Sequence, residues 1–286
     1  MPEGVRLRRW SASSRRSVFG SRPFLGNPVA VVLDGSDVDS TEMQALARWT
    51  NLSETTFVLP PTQDGADYGL RIFTPGGELP FAGHPTLGSA HAWLADGEGR
   101  SGRQSLVREC AAGLVRVRRT ERRLSFAAPP LVRYEPVDEG MVMRLANFLG
   151  VRPGEIRAAH WVDNGPGWVA VVLGSADDVL QLRPGTPQNN LSVGVAGPYP
   201  RGSQAAFEVR AFFSRDGVTF EDPVTGSLNA SLARWFFDSR QVEGPYVVSQ
   251  GTAIGRQGRV YIERDREDTI WVGGDTVSCI EGTVVL

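Results

Sequence analysis

The sequence contains no lysine, since all 30 basic residues among its 286 are arginine. Without a lysine amine no side chain can form a Schiff base, which excludes pyridoxal-phosphate catalysis. The phosphate-binding loop that ends in Gly-Lys-Ser/Thr is excluded for the same reason, and no Gly-x-Gly-x-x-Gly opens a βα unit. The composition therefore supports no nucleotide or pyridoxal site, and we expect a protein without cofactors.

Cysteine and histidine are scarce, with two and three copies. Cys110 and Cys279 lie far apart without a Cys-x-x-Cys pair, so neither a disulfide framework nor a thiolate zinc site is predicted. The histidines, His84, His91 and His160, have no metal-binding spacing. We therefore expect no bound metal, and so little cysteine favours a reducing, cytoplasmic location.

Long apolar runs and a basic surface are missing too. No apolar run approaches the ~20 residues that span a membrane. A net charge of −2 and a pI near 6.0 give no broad basic face for nucleic acid. What remains is an ordinary globular composition, 41% apolar and 22% charged, long enough for two domains. We therefore expect a small-molecule partner, and neither a membrane nor nucleic acid.

The most informative stretch is Glu221-Asp222-Pro223-Val224-Thr225-Gly226-Ser227. An apolar strand, 207–213, leads to it, and a helical pattern follows it. The apolar face of that helix carries Leu228, Leu232, Trp235 and Phe236. Asp222 therefore lies at a helix N-terminus, where unpaired backbone N–H groups attract anions such as a substrate carboxylate.

A second copy of this arrangement lies earlier in the chain. The segment Phe81-Ala82-Gly83-His84-Pro85-Thr86 also follows a strand and opens a helix, with proline at a position that suits it. Four residues recur at an offset of 139 positions: Arg71, Phe73, Phe81 and Thr86 match Arg210, Phe212, Phe220 and Thr225. An offset near half the chain length predicts a duplication, with two helix N-termini directed towards one cleft.

A third candidate is Glu54, in a strand predicted over 52–59 by its β-branched and aromatic content. Alternation puts Glu54 on one face with apolar neighbours. It is either an edge residue that reaches water or a half-buried general base whose proton affinity is raised by desolvation. His84 is either a turn residue or a proton-transfer group, and its resemblance in position to Asp222 favours the second. His91, further along the same helix, is expected to pack.

Proline-rich and basic segments suggest the domain boundaries. Residues 1–17 are rich in arginine and serine and are interpreted as a disordered basic tail. The N-terminal lobe is predicted over 18–128, with the strand 280–286 as a possible addition, and a linker over 129–136 separates it from a C-terminal lobe over 137–279. Strands and single helices recur in both halves, which predicts an α+β fold of two similar lobes with antiparallel or mixed sheets.

Taken together, these motifs resemble the PhzF family, named for phenazine biosynthesis, which has the diaminopimelate-epimerase fold. The matching segments stand in family order from about residue 18 to the end of the chain: 26–31, 51–57, 78–88, 164–166 and 221–227. The resemblance implies two pseudo-symmetric lobes, each a sheet curled around a central helix, with the active site between them. It also implies a homodimeric, cofactor-free isomerase in a family that often serves antibiotic biosynthesis.

The resemblance further implies roles for single residues. In the phenazine enzyme a glutamate moves a proton between carbons of a dihydro-hydroxyanthranilate, and Glu54 matches that glutamate. His84, Asp222 and Ser227 match its other site positions. Leu228 stands where that enzyme has a small alanine, so we expect it to narrow or reshape the carboxylate pocket.

The racemases of the same fold use two cysteines, one at each glycine-rich turn. Here the turns carry His84 and Asp222, whereas Cys110 and Cys279 lie elsewhere in the sequence. Racemisation by two cysteines is therefore not expected.

The expected activity is an allylic proton shift on a small carboxylate-bearing metabolite, with Glu54 as the base. The substrate carboxylate would be held by the backbone amides at Thr225, Gly226 and Ser227 and by the Ser227 hydroxyl. The first turn is expected to add further contacts, with Gly83 and Pro85 as substrate-binding residues. Two alternatives stay open. One is an epimerase with Glu54 and Asp222 on opposite faces of the substrate, and the other is a binding protein without turnover.

Overall fold

The computed structural model describes residues 9–97, 100–120, 123–186, 191–215 and 217–285. Within these residues it has 18 β-strands and five α-helices. The chain divides into two compact units, Met1–Phe126 together with Asp275–Leu286, and Ala127–Gly274. Both units combine mixed sheets with few helices, which confirms the α+β prediction.

The first unit wraps a sheet around one buried helix. Its strands are β1 (Arg9–Val18), β2 (Asn27–Val32), β3 (Glu54–Leu59), β4 (Tyr68–Thr74), β5 (Gly77–Leu79), β6 (Ser105–Cys110), β7 (Gly113–Thr120), β8 (Arg123–Ala127) and β18 (Thr276–Val285). Its helices are α1 (Ser40–Thr50) and α2 (Gly83–Asp96). Helix α2 packs on β1, β2 and β3, and 11 of its 14 residues are buried, so it forms the centre of this unit.

The second unit has the same plan. Its strands are β9 (Arg133–Pro136), β10 (Ala158–Asp163), β11 (Trp168–Val172), β12 (Ser192–Pro198), β13 (Phe207–Arg215), β14 (Val218–Asp222), β15 (Tyr246–Gln250), β16 (Gly258–Arg264) and β17 (Ile270–Gly274). Its helices are α3 (Glu139–Leu149), α4 (Ala176–Gln181) and α5 (Gly226–Asp238), with short 3₁₀ turns at Pro153–Glu155 and Thr252–Ile254. Helix α5 packs on β10, β11, β16 and β17 and is the buried central helix.

The strand pairings of the two units correspond one to one. In the first unit β2 and β3 pair in parallel across α1, and β4 and β6 pair in parallel across α2. In the second unit β11 and β12 pair in parallel across α4, and β13 and β15 across α5. The strands between these parallel pairs are antiparallel in both units. The shared topology confirms the predicted duplication.

The duplication is also visible in equivalent side-chain contacts in the two units. Arg71 binds Glu78 through two hydrogen bonds of 2.8 and 2.7 Å, and Arg210 binds Glu221 through two of 3.0 and 2.7 Å. Each guanidinium carbon also lies 4.9 Å from the ring of the phenylalanine two residues further on. The Arg71/Arg210 and Phe73/Phe212 matches are therefore structural equivalents.

The other two matches of the predicted repeat are wrong. The hairpin between β13 and β14 is four residues longer than the one between β4 and β5, so the offset becomes 143 beyond it, as 221 − 78 and 226 − 83 both show. Gly83 is therefore equivalent to Gly226 and His84 to Ser227. The matches Phe81/Phe220 and Thr86/Thr225 are coincidences of sequence, because the longer strands of the second hairpin change the sequence offset without changing the fold.

The N-terminal tail predicted over 1–17 differs from the structure. Arg9–Val18 forms β1, paired antiparallel with both β2 and β18, while residues 1–8 lie outside the described residues. Strand pairing on both sides satisfies the backbone of a segment whose own sequence is polar. The expected linker over 129–136 likewise includes β9, which pairs with β10. The unit boundary falls after Phe126, and residues 275–279, expected in the second lobe, belong to the first unit.

Candidate active-site residues

The two central helices begin differently from the other three α-helices of the described residues. In α1, α3 and α4 the N-cap side chains Asp39, Asp138 and Ser175 accept hydrogen bonds from the first turn. The N-cap side chains of α2 and α5, Ala82 and Thr225, accept none from theirs, and neither first turn contains an acid. Backbone N–H groups and the helix dipole therefore make both N-termini suitable for an anion.

The first set of site residues joins β3 to the start of α2. Oε2 of Glu54 lies 3.0 Å from Nε2 of His84, and the two side chains are 14% and 5% exposed. Strand β3 lies between β2 and β4, and Glu54, its first residue, pairs with Val29 of β2, so its carboxylate lies mostly out of water at the end of an interior strand. A carboxylate and an imidazole at this distance and burial are close enough to exchange a proton, although these two atoms are not aligned for a hydrogen bond here.

Two buried contacts hold this pair in position. The hydroxyls of Thr56, on β3, and Ser89, on α2, lie 2.9 Å apart and link the strand to the helix. Ser53 Oγ donates to Oδ1 of the fully buried Asn27 at 3.4 Å, next to Glu54. A side chain at Gly26 would collide with the carbonyl oxygen of Val18, so only glycine allows this close approach.

The first turn of α2 is buried throughout. Gly83, His84 and Pro85 are all buried away from solvent. Thr86 Oγ donates a hydrogen bond of 2.6 Å to the carbonyl of Ala82. Pro85 has no N–H group, so this turn offers fewer amide donors than the corresponding turn of α5. The first set therefore favours proton transfer over anion binding.

The second set of site residues lies at the start of α5. Asp222 ends β14, and its Oδ2 accepts a hydrogen bond of 2.5 Å from the hydroxyl of Thr225. Ser227 Oγ accepts a hydrogen bond of 3.1 Å from the indole of Trp168, and Asn164 donates to the Ser227 carbonyl at 3.0 Å. Because an indole N–H only donates, the Ser227 hydroxyl hydrogen can be directed at an acceptor such as a carboxylate.

Sequence reasoning missed two residues of this second set. Trp168 follows the segment 164–166, which is one of the segments that match the family, but no spacing links it to Ser227. Gln250 ends β15 and bonds to Thr225, Asn229 and the main chain of Asp222. Neither residue belongs to a local motif, because the contacts form only when distant strands meet.

Leu228 does not have the effect expected from its size. It is fully buried, and a side chain at Gly194, on β12, would collide with its Cδ1 atom. The missing side chain at Gly194 therefore provides the space that Leu228 fills. The expectation that Leu228 narrows a carboxylate pocket is wrong, because its side chain points into the core.

The remaining cysteines and histidines serve other parts of the molecule. Cys110 ends β6 and donates to the Gly113 carbonyl, and Cys279 lies in β18. His91 is half-buried on α2, and burial, then Arg16 and Arg119, lower its pKa to about 4. In the described ranges no three His, Cys, Asp or Glu side chains are grouped as metal ligands.

No helix in the described part of the chain has the length and hydropathy to cross a membrane.

Comparison with known proteins places these residues in a family context. A family model described as phenazine biosynthesis-like protein, PhzC-PhzF, matches residues 16–282. A Pseudomonas aeruginosa protein named trans-2,3-dihydro-3-hydroxyanthranilate isomerase is 34% identical over 278 residues, covering 94% of this chain and 97% of its own. A Schizosaccharomyces pombe protein named antisense-enhancing sequence 1 is 35% identical over 285 residues, covering 93% and 95%.

Solved structures agree with the fold. The crystal structure of a phenazine biosynthesis protein of the PhzF family from Enterococcus faecalis has a TM-score of 0.81 to this chain and 24% sequence identity. The match covers 98% of this chain and 100% of that one. The predicted two-lobed architecture is therefore confirmed at the level of the fold.

Proposed function

The chain belongs to the PhzC-PhzF family of phenazine biosynthesis-like proteins, and from this premise we propose that it is a cofactor-independent isomerase. Several of its curated relatives are named isomerases. The proposed reaction moves a proton between two carbons of a small metabolite that bears a carboxylate. The observation that carries this proposal is the 3.0 Å contact between the half-buried Glu54 and the buried His84 at the start of a central helix.

Glu54 is the proposed base. In its ionised form it takes a proton from a carbon next to a double bond, and the C–H electron pair moves into the conjugated system. The same carboxyl then returns the proton to the far carbon, so atoms and electrons balance without a co-reactant. His84, at 3.0 Å, would stabilise each protonation state of Glu54 in turn.

The carboxylate of the substrate is the proposed ligand of the second set. The first-turn amides at Gly226 and Ser227 and the Ser227 hydroxyl supply donors, and the α5 dipole adds a fixed positive potential. Gly83 and Pro85 border the α2 turn and are proposed as substrate-binding residues of the first set. Asp222 is proposed to orient an amino or hydroxyl group of the substrate, or to act as a second acid–base group.

The substrate class follows from the named relatives. We propose a cyclic dihydro acid like the trans-2,3-dihydro-3-hydroxyanthranilate in the name of the Pseudomonas aeruginosa relative. Such compounds suit the proposed chemistry, because an activated C–H group stands next to a conjugated acid. A role in antibiotic biosynthesis, a homodimeric state and a cytoplasmic location stay predictions.

Isotope labelling in D₂O tests the proposal. The protein is incubated with trans-2,3-dihydro-3-hydroxyanthranilate, and the product is analysed by ¹H and ²H NMR. An allylic shift moves the double bonds, and deuterium enters the newly protonated carbon to the extent that the proton on Glu54 exchanges with solvent before its return. Epimerisation leaves deuterium at an inverted carbon with the double bonds unmoved, and a binding protein leaves both the double bonds and the labelling unchanged. Either of the last two results rejects the proposed reaction.

A further inference from the structure

Gln250 has an unusual number of hydrogen bonds for one buried side chain. It is fully buried at the end of β15. Its Oε1 accepts from the Thr225 main-chain N–H at 3.0 Å and from Asn229 Nδ2 at 2.8 Å. Its Nε2 donates to Thr225 Oγ at 2.9 Å and to the Asp222 carbonyl at 3.3 Å. All the hydrogen bonds of this amide therefore go to the segment that opens α5.

These contacts determine the direction of each hydrogen bond. A main-chain N–H can only donate, so the amide atom that faces Thr225 N must be oxygen. The amide nitrogen must then face the Thr225 hydroxyl, and since that nitrogen only donates, Thr225 Oγ accepts from it. The Thr225 hydroxyl hydrogen is consequently directed at Asp222 Oδ2, 2.5 Å away. Gln250, Thr225 and Asp222 form one directed chain, which we call the Gln250 relay.

The backbone around Gln250 supports the same segment. Gly251 has a φ of +89°, and a side chain there would lie 2.5 Å from the Pro223 carbonyl oxygen. A side chain at Gly258 would collide with Val224. The turn at 222–225 therefore rests directly on the hairpin of β15 and β16, where any added atom would displace it.

The duplication shows that this support is specific to the second unit. Tyr68 pairs with Arg108 where Phe207 pairs with Val248, so the position equivalent to Gln250 is Cys110. Cys110 donates to the Gly113 carbonyl within its own hairpin. In the first unit the hairpin instead reaches the turn through the main chain, from Ala112 N to the Pro80 carbonyl at 3.3 Å.

We infer that Gln250 is a positioning residue for the reaction: through the Thr225 hydroxyl it orients the Asp222 carboxylate, and through the Thr225 N–H it sets the start of α5. The inference rests on the proposed function, because it takes Asp222 as the group that meets the substrate. Gln250 itself does not contact the substrate in this scheme. Its effect is transmitted by two hydrogen bonds in series.

The substitution Q250E separates positioning from folding. An ionised carboxylate keeps the shape and still accepts from Thr225 N and Asn229. It can donate neither to the Thr225 hydroxyl, which would turn away from the Asp222 carboxylate, nor to the Asp222 carbonyl. T225V removes the hydroxyl and keeps the N–H, and T225S restores a hydroxyl. Gln44, which donates to the Thr74 carbonyl at 2.9 Å in the first unit, provides the matched control Q44E.

We expect Q250E and T225V each to lower kcat on trans-2,3-dihydro-3-hydroxyanthranilate by about tenfold or more, since hydrogen bonds to charged groups are among the stronger ones. Q44E should stay within about twofold of the wild type, which is the usual scatter for neutral sites. T225S, which restores the hydroxyl, should recover most of the activity that T225V loses. The double variant Q250E/T225V should lose no more activity than T225V alone, because both changes break the same chain of hydrogen bonds. Unchanged kcat in Q250E, or losses that multiply in the double variant, would overturn the inference.

A second measurement does not need turnover. In Q250M the Thr225 N–H loses its acceptor, so its hydrogen exchange should become about tenfold faster, with no change in Q44E. If the wild type leaves the test compound unchanged, the proposed function fails for that compound, and the inference is judged by exchange alone. Equal exchange of the Thr225 amide in wild type and Q250M would then reject it.

Discussion

Glu54 Oε2 and His84 Nε2 lie 3.0 Å apart, although one residue opens a strand and the other opens a helix much later in the chain. The Thr56–Ser89 hydroxyl contact of 2.9 Å links the same strand to the same helix close to this pair. Both carboxylate and imidazole are largely removed from water. A pair with this geometry is suited to moving a proton rather than to stabilising the fold.

The first prediction concerns the base. E54Q keeps the size of the side chain and removes its proton affinity, so turnover should fall by about 10²–10⁴-fold. Melting temperature should change little, because the amide can still bond to His84. Kinetics and circular dichroism on the same samples measure both effects. Glu135, an exposed acid paired with Arg133, supplies the control E135Q, which should keep full activity. Full activity in E54Q would remove Glu54 from the mechanism.

The second prediction concerns the proposed carboxylate site. S227A removes the hydroxyl that Trp168 orients, so KM should rise by about tenfold, as expected for a lost hydrogen bond to an anion. Ser231, one turn later on α5, provides the comparison. Its Oγ is buried and has no hydrogen-bond partner among the described residues, so S231A should leave KM unchanged and stability equal or higher. Equal KM values in the two variants would contradict the assignment of Ser227.

The third prediction uses the duplicated ion pairs. Arg210 and Glu221 are 6% and 12% exposed, whereas Arg71 and Glu78 are 29% and 39% exposed. Breaking the buried pair with E221Q should cost about 3 kcal/mol of unfolding free energy, because it leaves a buried cation short of its partner. The same change in the exposed pair, E78Q, should cost under about 1 kcal/mol. Urea denaturation measures both, and equal costs would argue against burial as the cause.

The fourth prediction concerns the glycines next to the Gln250 relay. Gly251 and Gly255 have similar positive φ values, +89° and +74°, so alanine strains the backbone at both. G255A meets open space and should cost about 1 kcal/mol. G251A also pushes against the Pro223 carbonyl, so it should cost about 3 kcal/mol and lower turnover by displacing Asp222. If the two variants have the same stability and activity, the close approach at Gly251 is not important.

The fifth prediction concerns pH. In the unfolded chain His91 has an ordinary pKa of 6.5, and in the folded protein burial, with Arg16 and Arg119 nearby, lowers its pKa to about 4. Between these values the unfolded chain binds a proton that the folded protein does not, so stability falls as the pH falls from 6.5 to 4.

Denaturation of wild type and H91Q across this range measures the effect. Relative to H91Q, the wild type should lose about 1–3 kcal/mol between pH 6.5 and pH 4. Above pH 6.5 the difference between the two proteins should be constant. A constant difference at all pH values would mean that His91 titrates normally.

Short-range signals in the sequence explain which parts of the fold could be predicted. Asp39 and Asn51 are residue types that favour helix ends, and the structure shows a capping box at the first and a left-handed C-cap at the second. These signals act over three or four residues, so neighbouring sequence suffices to specify them. The strand–turn–helix pattern at Gly83 and Gly226 is equally local, which is why both candidate turns were found.

Non-local pairing explains what was missed. The composition of residues 9–17 predicts a basic tail. In the structure they belong to β1, because β2 and β18 supply hydrogen-bond partners on its two sides. The sequence suggests that Leu228 obstructs a pocket. In the structure its side chain fills the space left by Gly194, which lies on a distant strand and has no side chain. Neither outcome depends on the residue's own neighbours in sequence.

The amino-acid sequence alone determined the class of the fold, its duplication, the family, and the identity of Glu54, His84 and Asp222 as candidates, because strand periodicity, helix starts and turn residues are encoded over short distances. Only the tertiary structure decided that Glu54 meets His84, that Trp168 orients Ser227, and that Gln250 directs Thr225 towards Asp222. The reason is physical: a hydrogen bond between distant residues requires angstrom-scale placement, which arises only when whole strands and helices pack together.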